Sequence, residues 1–457
     1  MNANALFDNA TASLKYAQAG LLVTAQNVSG ASVDGFVRRT PESLLSSYSP
    51  DAARPGQGLD GFGRNYSAFL QRQVLRQAGE SAYTQSLSAS TQTLDKMLTD
   101  PATSIAGAMG SFFNAAGSLA NEPTNPAYRE SLIGSARQLV SRINTTSDVL
   151  QTLREDSSRG LEDTLRQASD VMGQLGRVNA QIKNTPSPDL FDERDRLGVQ
   201  LQRLIGGDSV LEGDGTLSHL IGGVQVVEGA TAYRFANGDG SEPLVIRLPL
   251  AENIKMVTPS QGSQPGKIVE VFQRQQAGSS EAAVSFIDRG QAGAYITLLN
   301  EELPAWQTSL DALADKLKTQ VDASAITVAG KSLFGFSGGQ AGASKLEVQA
   351  TSSDITSTAT AAAAATALEG MRANFNPDVT AFTSRIANTL SGWNLDLKLN
   401  QTIERSLSDQ KASVSGVNLD EEAANLVRYQ QLYAAASKMV QMGSQMFDTL
   451  LSMMSGR

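Results

Sequence analysis

The sequence predicts a mainly α-helical chain with an inserted β module, and three observations carry that prediction. Apolar residues recur at alternating spacings of three and four near both ends of the 457-residue chain, which is typical of a narrow stripe on one side of a helix. The fourteen prolines all lie between Pro41 and Pro377, so neither end contains a helix breaker. Between the helical parts, short β-branched runs alternate with Asp-Gly and Asn-Gly turns over residues 206–289.

The two terminal stripes predict surfaces through which the chain assembles. The predicted interface residues are Phe7, Leu14, Leu21, Val28, Leu426, Tyr429, Tyr433, Val440, Phe447 and Leu450. Helix nucleation is unfavourable, and a stripe left in water gains nothing from its apolar residues. We therefore expect a coiled-coil pair of terminal helices that packs on copies of the same chain, as in a self-assembling structural subunit.

Caps and breakers divide the helical parts into elements. The C-terminal helix is predicted to begin at Asn418, which has the capping-box spacing to Glu421. Helical periodicity also runs through residues 105–204, with a slip of one position past Gly160 that is typical of a stutter. A further helical stretch is expected to open after Pro377, because proline disfavours the interior of a helix.

The β module is predicted from its turns and its β-branched runs. The expected strands are 224–227, 244–246, 268–272 and 284–287, and the expected turns are Asp214-Gly215, Asn237-Gly238 and Asp239-Gly240. Because the strands lie inside the helical sequence, we predict discontinuous nested domains. These are an inner terminal-helix assembly domain (1–45 and 413–457), a helical-bundle middle domain (46–205 and 291–412) and an outer all-β domain (206–290).

Composition restricts the possible functions. The chain carries 37 Lys and Arg against 46 Asp and Glu, for a net charge of −9, which argues against nucleic acid as a partner. It has no cysteine, which removes disulfides, thiolate catalysis and cysteine-based metal sites. No apolar span of about 20 residues predicts a membrane helix, and the N-terminus lacks the pattern of a cleaved secretory signal. We predict no cofactor and no membrane partner.

Candidate catalytic and metal-binding features are weak. His219 is the single histidine, and we expect it at a turn or on the surface rather than in a metal site. The charged run 192–196 has the spacing of solvated helical ion pairs, which we favour over the carboxylate pair of a hydrolase. Residues 237–240 predict a tight turn rather than a calcium loop, and residues 61–63 are too short to hold a phosphate. We predict no enzyme, with a wall-degrading hydrolase centred on the β module as the alternative.

Three segments resemble one protein family. Residues 414–422 (VSGVNLDEE) resemble the signature that opens the C-terminal helix in the flagellar hook-associated protein 1 family. Residues 27–29 (NVS), followed by Gly35-Phe36 and Arg38, are similar to the N-terminal signature of flagellar axial proteins. Residues 190–197 (LFDERDRL) are similar to a Leu-Leu-Asp-x-Arg-Asp-x-Leu motif of the same family.

The resemblance implies a structural role at the hook–filament junction of the bacterial flagellum. It implies a paired-helix inner domain, and as partners further copies of the chain, the hook protein and the filament-side junction protein. It also implies an extracellular location, reached through the flagellar type III export route without cleavage, and an export chaperone on the C-terminal helix. Another axial protein, either the filament-side junction protein or a flagellin, stays open as an alternative.

Overall fold

Helices dominate the structure, a computed structural model, and short antiparallel strands make up the rest of its regular elements. The structure describes residues 3–33, 35–41, 62–100, 102–237, 241, 244–247, 254–257, 268–270, 272–273, 284–323, 327–328, 331–355 and 358–455. Helices within this part are α1 (Ala3–Gly30), α2 (Ala68–Thr99), α3 (Ile105–Asn121), α4 (Pro126–Asn184), α5 (Pro188–Ile205), α6 (Gly290–Thr297), α7 (Leu303–Ala323), α8 (Thr358–Ser415) and α9 (Leu419–Ser455). A mainly α chain with a small β module is therefore confirmed.

Strands occupy the stretches between these helices. They are β1 (Arg39–Pro41), β2 (Phe62–Arg64), β3 (Asp208–Leu211), β4 (Leu217–Ile221), β5 (Val224–Glu228), β6 (Thr231–Ala232), β7 (Arg234–Asn237), β8 (Ile254–Val257), β9 (Ile268–Glu270), β10 (Phe272–Gln273), β11 (Val284–Ser285), β12 (Thr327–Val328), β13 (Lys331–Ser332), β14 (Phe334–Phe336) and β15 (Leu346–Val348). Strands β3 to β6 form a four-stranded antiparallel sheet in chain order, and β7 to β9 form a three-stranded one.

The first core contains a group of aromatic rings among aliphatic side chains and is enclosed by α2, α3, the first part of α4, α7 and α8. The ring centroids of Phe112 and Phe334 are 5.7 Å apart, and those of Phe113 and Phe375 are 6.1 Å apart. The prediction that a helix opens after Pro377 is wrong, because α8 runs through this proline without a break. Phe375 and other apolar side chains around the proline are buried in the core, and this packing keeps the helix continuous despite the lost hydrogen bond.

The second core lies under the strands. It joins the last part of α4 with α5, α6 and the sheets β3–β6 and β7–β9. Helix α4 is unbroken, yet Leu153 lies in the first core and Leu161 in the second. The slip predicted past Gly160 coincides with this change of core. An added Cβ at Gly160 would lie 2.6 Å from Cζ of Tyr295, so a larger residue there would displace the end of that side chain.

The β module differs from the prediction in part. The turn at Asp214-Gly215 is confirmed between β3 and β4, with Gly215 at a φ of +84° and Asp214 accepting a hydrogen bond from the Thr216 amide at 3.0 Å. Residues 244–246 form no strand, although Leu244 and Ile246 are buried in the second core. Residues 238–240, which complete the two other predicted turns, lie outside the described part.

The prediction that His219 lies at a turn or on the surface is wrong. It lies in the middle of β4 and is completely buried. Its Nδ1 is 3.0 Å from the hydroxyl oxygen of Ser209 on the neighbouring strand β3. Burial lowers the pKa of His219 to about 4, since the low-dielectric interior disfavours the charged imidazolium. The side chain is therefore a neutral core residue near neutral pH.

Candidate assembly interface

Helices α1 and α9 lie against each other in antiparallel directions. Gly20 of α1 faces the ring of Tyr429, and Gly443 further along α9 faces Phe7 nearer the start of α1. A Cβ added at Gly20 would lie 2.6 Å from Cγ of Tyr429, so this position accepts no side chain. The rings of Tyr16 and Tyr429 meet edge to face, with 6.0 Å between their centroids. Aromatic pairs favour this arrangement.

Small side chains make the close approach possible. On α1, Ala10, Ala17 and Thr24 are buried, and on α9 Ala436 is buried. Small residues at a helix–helix contact bring the two backbones together and add dispersion contacts along the seam. The predicted pairing of the terminal helices is thus present within one chain.

Nine of the ten predicted interface residues fall into three groups. Tyr429 is buried against α1. Partly buried are Leu14, Leu21, Leu426 and Val440. Exposed are Phe7 at 44%, Val28 at 48%, Tyr433 at 39% and Phe447 at 62%. The side chain of Leu450 lies outside the described part.

Other large apolar side chains on the same two helices are also exposed, and the sequence analysis did not single them out. They are Leu22, Leu419, Val427, Met439, Met442 and Met446. Together with Phe7, Val28, Tyr433 and Phe447, these side chains make up what we call the outer surface of the terminal pair, whether they lie beside the seam or, like Phe7, at its edge. Fully burying one such side chain is worth about 1.5–3 kcal/mol. Burial of the outer surface against another molecule would therefore stabilise that contact. Leu22, Val427 and the three methionines gave only a weak signal in the sequence, because they lie outside the three-and-four stripe.

The two terminal sequence motifs meet in space. Arg38, from the segment after α1, pairs with Glu421 at 2.8 Å and with Glu422 at 2.9 Å in the first turn of α9. The backbone N–H of Arg38 also donates to the carbonyl of Ser415 at 2.9 Å. Asn418 caps α9 as predicted, since its Oδ1 accepts from the Asp420 amide at 3.0 Å. One cation therefore ties the two ends of the chain together.

The other residues of the N-terminal motif hold the chain's turn after α1. The side chain of Asn27 pairs with both the N–H and the C=O of Arg39, each at 2.9 Å. Gly35 adopts a φ of +82°, which favours glycine. Phe36 packs on Gly30, where an added Cβ would lie 2.6 Å from Cζ of the ring. These contacts explain why the motif combines an amide, two glycines and an aromatic ring.

A buried ionic network connects this region to α5, and it corrects the prediction for residues 192–196. Only the pair of Glu193 and Arg196 is exposed as expected. Asp192 is 2.6 Å from a guanidinium nitrogen of Arg64, and Asp195 is 2.9 Å from the same nitrogen. The remaining cations of the network are Arg39, which pairs with Asp189 and Asp192, and Arg194, which pairs with Asp195.

The spacing argument fails here because β1 and β2 cover that side of α5. They bring Arg39 and Arg64 from the segment after α1 onto the α5 carboxylates. Burial raises the pKa of Asp192, and the charge of Arg64 opposes this rise. Charges buried in such a network depend on every partner, because an unpaired buried charge is costly.

A groove of about 540 Å³ lies between the segment that follows α1, helices α2 and α5, and the end of α8. Its lining mixes apolar residues such as Phe36, Val199 and Leu407 with charged ones. Across it Arg203 pairs with Glu404 at 3.0 Å. In the part of the chain that the structure describes, no cluster of three or more His, Asp or Glu side chains is arranged to hold a metal ion. No described helix is long and apolar enough to cross a membrane.

The family model "Flagellar hook-associated protein FlgK helical domain" matches residues 91–339, more than half of the chain. A second family model, "Flagellar basal body rod FlgEFG protein C-terminal", matches residues 410–453. Both models describe flagellar proteins. The chain belongs to the FlgK family of flagellar hook-associated proteins.

Relatives named flagellar hook-associated protein 1 extend the match over the chain. The Escherichia coli K12 protein is 25% identical over 558 aligned residues, which cover 98% of this chain and 100% of the relative. The Salmonella typhimurium protein is 24% identical over 322 residues, which cover 68% of this chain and 54% of the relative. The chain therefore spans about half the length of the Salmonella relative in that alignment. The solved FlgK hook junction protein from Burkholderia pseudomallei has 23% identity and a TM-score of 0.45, covering 58% of this chain and 46% of that one.

Proposed function

We propose that this chain is a structural subunit of the flagellar hook–filament junction and that it assembles through the outer surface of the paired helices α1 and α9. The observation that carries the proposal is the contrast between the two sides of the pair. The inner seam is closed by Gly20 and Tyr429, whereas Met442, which lies on another side of α9, is 60% exposed. Copies of the chain would bury this outer surface on one another.

The proposed organisation has three parts. Residues 1–45 and 413–457 form the assembly domain, residues 46–205 and 291–412 form the helical middle domain, and residues 206–290 form the outer β domain. The salt bridges of Arg38 with Glu421 and Glu422 support the first part, because they join the two terminal segments. Membership of the FlgK family supports the position at the hook–filament junction.

The proposed partners follow from that position. The subunit would contact the hook protein on one side and the filament-side junction protein on the other. It would leave the cell unfolded through the flagellar export route, with a chaperone holding α9 beforehand. The small residues of the α1–α9 seam suit such a route, because the pair buries few large side chains and separates at low cost.

The decisive test replaces two exposed side chains of α9 by charged ones. Tyr433→Asp combined with Phe447→Asp should leave the free subunit folded, because both side chains are exposed. Cells that carry this variant in place of the natural protein should build hooks and release filament subunits into the medium. The matched control is Val210→Asp, which changes a side chain of 45% exposure on β3 of the β module.

Normal filaments in cells with the double variant, or equal loss of filaments with Val210→Asp, would contradict the proposed interface. Deletion of residues 419–457 should reproduce the release of filament subunits. Since the deletion also removes Tyr429, circular dichroism of the purified remnant should accompany it, to show that the helices of both cores are retained.

A further inference from the structure

Methionine is distributed unevenly in this chain. Five of the eleven methionines lie between positions 439 and 457. Three methionines of the two cores are shielded, with Met109 at 1%, Met172 at 0% and Met256 at 0% exposure. Three methionines of α9 are open to solvent, with Met439 at 40%, Met442 at 60% and Met446 at 50%. These three side chains are therefore exposed as a group.

The three exposed methionines share one side of α9. Their spacings of three and four place them in one row on a helix of 3.6 residues per turn. Ala436 and Tyr429, which face α1, lie roughly a quarter of a turn away on the same helix. The methionines are thus not part of the seam that holds α1 and α9 together, and a change at these sulphurs leaves that seam intact.

From this arrangement we propose that Met439, Met442 and Met446 form an oxidation site through which peroxides control assembly. The thioether sulphur attacks the O–O bond of hydrogen peroxide, gains one oxygen atom and is oxidised by two electrons, while the peroxide is reduced to water. Methionine sulfoxide is polar and its formation is reversible by reductases. The consequence for assembly rests on the proposed function, since it requires that the outer surface be buried between copies.

Two further properties of the chain favour this site. The chain has no cysteine, so no thiol competes for the oxidant. Methionine is also a flexible, unbranched side chain that adapts to irregular contacts, which suits a surface meeting several neighbouring copies. Conversion to the sulfoxide places an S=O group where an apolar contact is needed, and burying that group without a hydrogen-bond partner is unfavourable.

The test compares oxidation rates and assembly of the full-length protein. Purified subunit is treated with hydrogen peroxide. Peptide mass spectrometry then follows sulfoxide formation at the three exposed methionines of α9 and at the three buried methionines of the cores. Met439, Met442 and Met446 should oxidise at least about tenfold faster than Met109, Met172 and Met256, because susceptibility follows exposure. Sedimentation of the treated protein should then show loss of assembly, with recovery after treatment with methionine sulfoxide reductases.

The control is the triple variant in which Met439, Met442 and Met446 are each replaced by leucine, which keeps the apolar volume and removes the sulphur. It should assemble equally well before and after peroxide. Similar oxidation rates at these six methionines would contradict preferential oxidation of α9. Equal loss of assembly in the leucine variant would contradict control of assembly by these sulphurs. Failure of the untreated natural protein to assemble would instead refute the proposed function, and the rate comparison would still decide whether the site exists.

Discussion

Replacement of Gly20 by alanine tests the close contact between α1 and α9. The added methyl group would lie 2.6 Å from Cγ of Tyr429, whereas carbon atoms in favourable contact are about 3.5–4.0 Å apart. The ring cannot simply swing aside, because Cγ lies at its base and Tyr429 is only 5% exposed. The two helices must therefore move apart by about 1 Å to accommodate the methyl group.

Two opposing effects determine how much Gly20→Ala changes the stability of the contact between α1 and α9. Overpacking of a close contact costs about 1–3 kcal/mol. Alanine in place of glycine stabilises a helix interior by about 1 kcal/mol. The pairing of α1 with α9 should lose about 1 kcal/mol, which corresponds to about a fivefold increase in its local opening equilibrium.

Hydrogen–deuterium exchange is the appropriate assay, since it reports local opening separately for the terminal pair and for the two cores. The control is Gly134→Ala on α4, where an added Cβ has no neighbour within 4 Å and only the gain in helix propensity remains. Peptides from residues 10–27 and 426–440 should exchange faster in Gly20→Ala alone. If Gly20→Ala instead slows exchange as Gly134→Ala does, the two helices are not in the described contact.

Three further predictions concern buried ionisable side chains. Arg38→Gln leaves the buried carboxylate of Glu422 without its cation, which should cost about 1–3 kcal/mol and speed hydrogen exchange in the first turn of α9. Burial holds the pKa of His219 at about 4, below the value near 6.5 of an unfolded chain. Its contribution to stability is therefore complete above about pH 6.5 and falls by about 3 kcal/mol as the pH drops towards 4. Thermal unfolding of His219→Gln between pH 7 and 4.5 should be less pH-dependent than that of the natural protein, and equal dependence would contradict burial of a neutral imidazole. Asp192→Asn should cost about 3–5 kcal/mol because it leaves buried guanidinium groups short of a partner, whereas the exposed Glu193→Gln should change stability by less than about 0.5 kcal/mol. Urea unfolding of these two variants checks the difference, and similar midpoints would contradict the network.

The fold of the chain ends could be predicted because their signals are local. The apolar spacing and the absence of proline predicted α1 and α9, and the Asn418 cap fixed the start of α9. Hydrophobicity alone does not predict which side chains are buried near the end of α1. Asn27 rather than Val28 is buried there, because its side-chain amide pairs with the backbone of Arg39. A specific pair of hydrogen bonds outweighs one apolar side chain at this position.

The ionic network could not be predicted because its partners are distant in the sequence. Residues 192–196 have the spacing of helical ion pairs, and this local pattern correctly describes Glu193 with Arg196. The cation that pairs with both Asp192 and Asp195 is Arg64. It is separated from them by more than a hundred residues in the sequence. His219 and Pro377 were misjudged for the same reason, since tertiary burial decided their environment and local propensity did not.

Helix α4 has a consequence for the mechanics of the subunit. Its 59 residues correspond to a rod about 88 Å long, and one part of that rod is embedded in each core. A force that bends the β module is therefore transmitted to the helical bundle, because α4 connects the two cores without a break. Unfolding of α4 along its whole length would remove packing from both cores, because the helix contributes side chains to each.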